Sequence, residues 1–260
     1  DGAYPHLKHY WTDQSYGLAS ITGSAATGWY TLPQPRSYYV TSSGLNHDLL
    51  ARHCTAAADP YVNFNNYVGL NLMFNAELDG SAWGGTWWLT LDGQTRLWYT
   101  TWEPPWGYSD IAVIAHEMGH GFGLPHSSGP YGQIYDNVWD IMSGVWAYCS
   151  LLLDPTFGCV GQGTIAYHRD RLGWIPDAQR FTLSSGMSAT VTLERLAQPA
   201  TGAYRIVRIP VAGSSTLFYT VEARQRVGYD TRLPDDGVVI HLVDLTRAEP
   251  AHVVDGDGKR

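Results

Sequence analysis

The eleven residues from His116 to His126 constrain the fold more than any other feature of the chain. They read HEMGHGFGLPH and combine three histidines, one glutamate and three glycines. The segment before them places apolar side chains such as Ile111 and Ile114 at helical spacing. Ser109 or Asp110 can cap that helix, so the sequence predicts a helix that carries the first histidines.

The spacing of the polar residues on this helix predicts a metal site. Four residues advance by about 400°, so His116 and His120 project from nearly the same face, where two imidazoles can hold one zinc ion. Glu117 is rotated by about 100° and can reach a water on that ion without binding the metal. A sharp reversal is cheap at Gly123 and can return His126 as a third ligand.

Three nitrogen ligands with an open fourth position are typical of a catalytic zinc and not of a structural one. Such an ion lowers the pKa of a bound water to roughly 7, and Glu117 can take the proton and pass it to a leaving amine. The alternative is a helix with three packed or solvated histidines. That alternative is disfavoured, because this spacing has no common packing explanation.

HEMGHGFGLPH resembles the metzincin zinc peptidases, whose signature HExxHxxGxxH it matches at every fixed position. That family has a Met-turn beneath the zinc, and Met142, which stands 16 residues past His126, lies in a similar segment, DIMSG. The resemblance implies that Met142 supports the site. It also implies that Val145, Trp146 and Ala147 wall the pocket for the residue after the cut bond, where a bulky Trp146 would make the pocket shallow.

Within the metzincins, the surroundings are most similar to secreted peptidases of the gametolysin and immune-inhibitor-A type. The segments that carry this likeness are YGL at 16–18, WYTLP at 29–33, AWGG at 82–85, YDNVWD at 135–140, RLGW at 171–174, YTVEAR at 219–224, GYD at 228–230 and LP at 233–234. Astacins and serralysins place a tyrosine two residues after the turn methionine, where this chain has Gly144. Tyr148 is nearby at a different offset, and the chain shows no pro-segment with a switch cysteine.

The fold class expected is α/β (α+β), with a metzincin-like catalytic domain at 1–175 and a small antiparallel, sandwich-like β-rich region at 176–260. The catalytic domain should contain a twisted mixed sheet above the active-site helix. Helices are predicted at 45–58 and 163–172, and strands at 29–32, 37–40, 67–74, 86–91, 189–193, 204–209, 217–221 and 238–242. Asp92-Gly93 predicts a turn after the strand at 86–91.

The strand at 86–91 has a predicted functional role. Metzincins pair an extended substrate with an edge strand that precedes the active-site helix, and backbone hydrogen bonds of this kind give general affinity for peptides. We therefore expect residues 86–91 to form that edge. The alternative is an ordinary core strand.

Composition excludes several classes of protein. The net charge is −8, and an acidic chain does not fit nucleic acid, which requires a basic surface. Charged residues are 15% and hydrophobic residues 44%, which excludes a highly charged disordered chain. No segment reaches the ~18 apolar residues of a membrane helix. DGAYP at the start is not a signal sequence, so a mature or trimmed form is expected. The resemblance to secreted metzincin peptidases implies a secreted protein with a protein or peptide substrate, and a monomer is expected.

Cysteines and carboxylates leave alternatives open. Cys54, Cys149 and Cys159 allow one disulfide and one thiol, and Cys149 with Cys159 is the favoured pair. Two loose groups of carboxylates leave calcium binding open as an alternative. Neither group matches an EF-hand loop, so turns or solvated faces are favoured. These groups are Asp230 with Asp235 and Asp236, and Asp255 with Asp257.

Two other functions are alternatives to a peptidase. One is a secreted, aromatic-rich module that binds glycans or cell-wall material and keeps a zinc site without using it. Glu117 argues against this function, because a metal site without catalysis does not need that carboxylate. The other is a zinc hydrolase that acts on a non-peptide amide, which the complete signature disfavours.

Overall fold

The computed structural model describes residues 3–130, 133–147, 149–151, 153–184 and 186–254. They form a mixed α/β structure with several sheets and few helices. The helices are α1 (Leu7–Gln14), α2 (Arg36–Tyr39), α3 (His47–Ala58), α4 (Pro105–Tyr108), α5 (Ile111–Gly121) and α6 (Ala166–Arg171). The strands are β1 (Val40–Thr41), β2 (Gly44–Leu45), β3 (Gly69–Met73), β4 (Trp83–Leu91), β5 (Gln94–Glu103), β6 (Ser127–Ser128), β7 (Leu153–Asp154), β8 (Gly158–Cys159), β9 (Arg180–Thr182), β10 (Ile206–Pro210), β11 (Leu217–Arg224), β12 (Gly237–Asp244) and β13 (Ala251–Val253).

The chain divides into two compact units, one of residues 21–123 and one of residues 1–20 with 124–260. The sequence placed a boundary near 175, and the structure places its division elsewhere. Strand β13 pairs in parallel with β6, so segments on both sides of residue 175 share one sheet. A short strand such as Ser127–Ser128 carries no periodic pattern from which this pairing could be predicted.

The unit of residues 21–123 contains a mixed sheet in the order β3-β5-β4, with β3 parallel and β4 antiparallel to β5. In the described part of the chain β4 is therefore an edge strand, as expected for 86–91. Asp92 and Gly93 join β4 to β5 with positive φ angles of 45° and 77°, the conformation of a tight hairpin turn. Helix α5 packs against β4 and β5.

The core of this unit lies between the sheet and α3. It contains Leu50, Leu72, Leu89, Trp98 and Trp102, all less than 10% exposed. Asn46 caps α3 by accepting a hydrogen bond from the Leu49 N–H at 3.0 Å. The helix buries Leu50 and Ala51 and ends at Ala58, as predicted. It begins two residues later than predicted, because Leu45 lies in β2.

The other unit is built on a sheet in the order β6-β13-β12-β11-β10-β9. The strands from β10 to β13 pair antiparallel, whereas β9 and β6 join the two ends in parallel. Strand β11 alternates half-buried and buried residues along its whole length, which is the period of a sheet with one face on a core. The region after residue 176 thus contributes five strands to one largely antiparallel sheet, and not to the two sheets of a sandwich.

Several predicted elements differ in the structure. Residues 29–32 form no strand, and residues 37–39 lie in helix α2 instead of a strand. Pro33 and Pro35 interrupt the extended run, and Pro35 is the N-cap residue of α2. The run at 189–193 contributes only a bridge between Leu193 and Tyr204. Helix α6 begins three residues later than expected, since side chains bind the backbone N–H groups of Gly163 and Thr164.

Within the described residues, every helix falls short of the length and apolar character needed to cross a membrane.

Candidate metal centre

Helix α5 positions the first two histidines. Its residues 111–117 are all buried, and Asp110 is its N-cap residue. The Nε2 atoms of His116 and His120 lie 3.1 Å apart, and their rings meet nearly perpendicular with centroids 4.8 Å apart. The two imidazoles therefore share one face of the helix and present the same nitrogen to a common point.

The glycine after this helix turns the chain back. Gly123 has a φ of +87°, a conformation that side chains with a Cβ rarely adopt. Its N–H donates to the His120 carbonyl at 3.0 Å, which ends the helix. The next three residues bring His126 close to the first two histidines, and one ring nitrogen of each of the three lies within 4.8 Å of the others.

The chemistry of this donor set fits zinc. Two nitrogens bound to one tetrahedral zinc at about 2.0–2.1 Å are about 3.3–3.4 Å apart, close to the 3.1 Å between His116 and His120. One ring nitrogen of His126 lies within 4.8 Å of both. Among the described residues, these three histidines are the only group of three metal-ligating side chains.

Glu117 is 7% exposed and follows the first histidine on α5. Burial raises its pKa to about 8, and the negative charge of Glu103 adds to the rise. A carboxyl group in this state can hold a proton near neutral pH.

Glu103 is a functional candidate that the sequence analysis missed. It ends β5, is fully buried, and neither carboxylate oxygen has a hydrogen-bond partner among the described residues. Burial raises its pKa to about 8, opposed weakly by the Thr101 hydroxyl. The strand alternation through Trp98 and Thr100 leads to Trp102, so it gave no signal that Glu103 is buried.

Close contact between strand and helix fixes the position of Glu117. A Cβ atom on Gly84 would lie 2.0 Å from the Glu117 carbonyl oxygen, so only glycine permits the helix to approach β4 this closely. The neighbouring Gly85 has no such constraint, because the space within 4 Å of its Cβ direction is open. The AWGG segment thus includes one residue required by packing.

His126 lies in a partly buried environment that favours its neutral form. Burial lowers its pKa, while Glu249 and Asp140 oppose that change. The ring of Tyr135 meets the imidazole edge-on with centroids 5.0 Å apart. Neutral imidazole is the state that binds a metal, so these surroundings suit a ligand.

The segment around Met142 forms successive turns, and Met142 is fully buried. Its carbonyl accepts a hydrogen bond from the Ser127 N–H at 3.4 Å, which ties the turn to the residue after His126. Asp140, at the start of the turn, accepts from the Ser127 hydroxyl at 2.6 Å and lies 3.0 Å from Nδ1 of His168. The role of Met142 beneath a metal stays a prediction.

The predicted pocket residues differ in exposure. Val145 is 9% exposed, whereas Trp146 is 49% exposed and Ala147 is also exposed. Only Trp146 and Ala147 can therefore offer much side-chain surface to a ligand. Tyr148 lies outside the described residues.

The carboxylates considered for calcium have other partners where the structure describes them. Asp230 is buried with two hydrogen bonds from Arg224, and both Asp235 and Asp236 lie near Arg226. Asp255 and Asp257 lie outside the described residues.

The expected disulfide is not formed. Cys54, Cys149 and Cys159 are thiols in the structure. Cys159 lies opposite Leu153 in the β7–β8 pair, and its Sγ faces the Val145 carbonyl at 3.8 Å. The residue across from Cys159 in this hairpin is thus Leu153 and not Cys149.

A scan against protein-family models found no match, and searches of curated proteins and of solved structures found no significant match.

Proposed function

We propose that this chain is a secreted zinc-dependent endopeptidase of the metzincin type. The observation that carries the proposal is the convergence of His116, His120 and His126 within 4.8 Å, with the buried Glu117 on the same helix. Three imidazoles and one carboxyl group that is not a ligand are the set that metal-assisted hydrolysis needs.

The histidines would hold the metal in their neutral forms. When bound, zinc would supply a Lewis acid that polarises the scissile carbonyl and acidifies water at the site. Glu117 would take the proton from the attacking water and then give it to the amine as the peptide bond breaks.

Strand β4 would bind the substrate backbone. It runs from Trp83 to Leu91 and is an edge strand among the described residues, so its outer N–H and C=O groups can pair with an extended peptide. Trp146 would limit the depth of the pocket for the side chain after the cut bond. A library of cleaved peptides tests the pocket, since a preference for large aromatic residues after the cut bond would contradict a shallow one.

The test of the function is hydrolysis of casein by the zinc-loaded protein. Glu117→Gln is the critical variant, and Glu77→Gln, at an exposed glutamate, is its matched control. We expect the parent and the control to cleave, and Glu117→Gln to bind zinc equally while its rate falls by about 10²–10⁴-fold.

The contrary outcome is equally informative. If the parent protein binds zinc but cleaves neither casein nor any peptide of a library, the peptidase proposal is wrong. Binding of the same protein to polysaccharide would then favour the aromatic-rich glycan-binding module.

A further inference from the structure

Tyr135 lies directly beside the third histidine. Its ring centroid is 5.0 Å from that of His126, and the two ring planes cross at 77°. Tyr135 is nevertheless 52% exposed, so part of the side chain remains accessible to a bound molecule. Contact with the imidazole and access from solvent are the two conditions that a substrate-binding tyrosine must meet here.

The backbone at Tyr135 is held in an unusual conformation. Its φ is +65°, in the left-handed region, which residues with a Cβ rarely adopt. The following carboxylate, Asp136, accepts hydrogen bonds from the backbone N–H groups of Gly129 and Gln133. Ser128 and Ile134 form an antiparallel bridge across the same loop.

The close approach at Gly129 reinforces this arrangement. A Cβ atom there would lie 2.4 Å from the Asp136 carbonyl oxygen, so the loop closes only with glycine at that position. The Asp136 carboxylate and this contact together fix the backbone on both sides of Tyr135. The loop therefore fixes the backbone from which the Tyr135 ring reaches His126.

We infer that Tyr135 is a catalytic residue whose phenolic O–H donates a hydrogen bond to the scissile carbonyl oxygen as that oxygen gains negative charge. The inference rests on the proposed peptidase function. Donors aimed at a developing oxyanion are among the largest contributions to acyl-transfer catalysis, and a tyrosine hydroxyl is suited to this role.

The hydrogen bond accompanies a balanced hydrolysis. When the water oxygen bonds to the carbonyl carbon, the carbonyl π pair moves onto oxygen and the water proton goes to Glu117. Tyr135 keeps its own proton and stabilises the charged oxygen. The pair then re-forms the carbonyl, the C–N bond breaks, and the amine takes the proton from Glu117.

Tyr135→Phe tests this role, because phenylalanine keeps the ring contact with His126 and removes only the hydroxyl. Tyr61→Phe is the matched control, since Tyr61 is 73% exposed and stacks on Tyr30. For a fluorogenic peptide we expect Tyr135→Phe to lower kcat by about 10²-fold, the size found for the loss of one oxyanion donor, with little change in KM. The control should match the parent.

Binding measurements separate this role from a structural one. A phosphinic peptide, which mimics the charged tetrahedral state, should bind Tyr135→Phe more weakly by a similar factor. Zinc affinity, measured by competition with a chelator, and affinity for the cleaved product peptide should stay unchanged.

Three outcomes would overturn the inference. An unchanged kcat shows that the hydroxyl does not act on the substrate. A matching loss of zinc affinity shows that Tyr135 only orients His126. A parent protein that cleaves no peptide overturns the proposed function and this role together, whereas the first two results leave the peptidase proposal intact.

Discussion

Buried carboxyl groups in the two compact units have contrasting surroundings. In the unit of residues 21–123, burial raises the pKa of both Glu103 and Glu117 to about 8. In the other unit, burial would also raise the pKa of Asp140, but the charge and hydrogen bond of His168 and further hydrogen bonds lower it to about 2. Asp230 there is paired with Arg224 at 2.7 Å, with both side chains fully buried.

This difference separates groups suited to proton transfer from groups suited to holding a structure. A carboxyl group whose pKa lies near neutrality can exchange protons at the pH of the reaction, and such groups cluster at functional sites. A carboxylate locked to a buried cation gives up that freedom for a defined geometry. Even there burial has an effect, since the pKa of Glu222 is raised despite its contact with Arg224.

Arg224→Met is the substitution expected to have the largest effect, and it tests whether the buried ion pairs hold the structure of their unit. It would leave Glu222 and Asp230 buried without their cation, and removal of one partner from such a group destabilises by about 3–5 kcal/mol. Urea unfolding at pH 7 measures the loss. Arg226→Met, at an exposed arginine that pairs with Asp235, should change stability by less than about 1 kcal/mol. Equal effects of the two variants would contradict the structural role of the buried pair.

Gly84→Ala tests whether the unit of residues 21–123 depends on close backbone packing and not on charge. The added methyl group would meet the Glu117 carbonyl oxygen, and because backbone cannot rotate away we expect a loss of about 3 kcal/mol. Zinc affinity should fall as α5 shifts. Gly85→Ala is the matched control, with open space around the new Cβ, and should be nearly neutral. A stable Gly84→Ala variant with normal zinc affinity would show that the contact is dispensable.

Glu103→Gln measures the penalty of an unpaired buried carboxyl group. The folded-state pKa of about 8 lies above the ordinary 4.5, so the folded protein binds more protons in this range and stability falls as pH rises from about 4.5 towards 8. Between pH 5 and 7.5 the parent should lose about 2–3 kcal/mol, and Glu103→Gln should remove most of that slope. Identical slopes for parent and variant would mean that Glu103 is already ionised in the folded protein.

Asp140→Asn should show the opposite pH dependence and a smaller effect. The folded-state pKa of about 2 lies below the ordinary 3.8, so the stabilisation is present above pH 3.8 and is lost as pH falls through 2. The variant should be about 2 kcal/mol less stable than the parent at pH 6 and should approach it near pH 2. A constant difference across this range would remove ionisation of Asp140 as the cause.

The sequence predicted elements with strong periodicity and those that carry an unusual local spacing. Helix α5, helix α3 and the strand at 86–91 belong to this class, as does the spacing of the three histidines that the structure brings together. The early runs at 29–32 and 37–40 failed because their β propensity was overridden by neighbouring prolines.

Features that depend on contacts far apart in the sequence could not be predicted. Arg169 donates a hydrogen bond to Gln14, which lies 155 residues away in the sequence. Asn137 and His241 are within hydrogen-bonding distance although they are 104 residues apart. The parallel strands at the ends of the larger sheet are short, so neither hydrophobic period nor turn chemistry signals them. Glu103 and Tyr135 belong to this class, because their importance appears only once burial and the contact with His126 are known.

The pairing of β6 with β13 has a consequence for the order of events during synthesis. Ser127 directly follows His126, and its strand partner is Ala251. At about 5–20 residues per second, a ribosome needs roughly 6–25 s to add the residues between these two strands. During that interval the histidine motif is complete as polypeptide, but β6, the strand next to its last histidine, still lacks its partner β13. The nascent chain therefore acquires its ligand residues early, and β13, which supports the strand next to one of them, is synthesised much later.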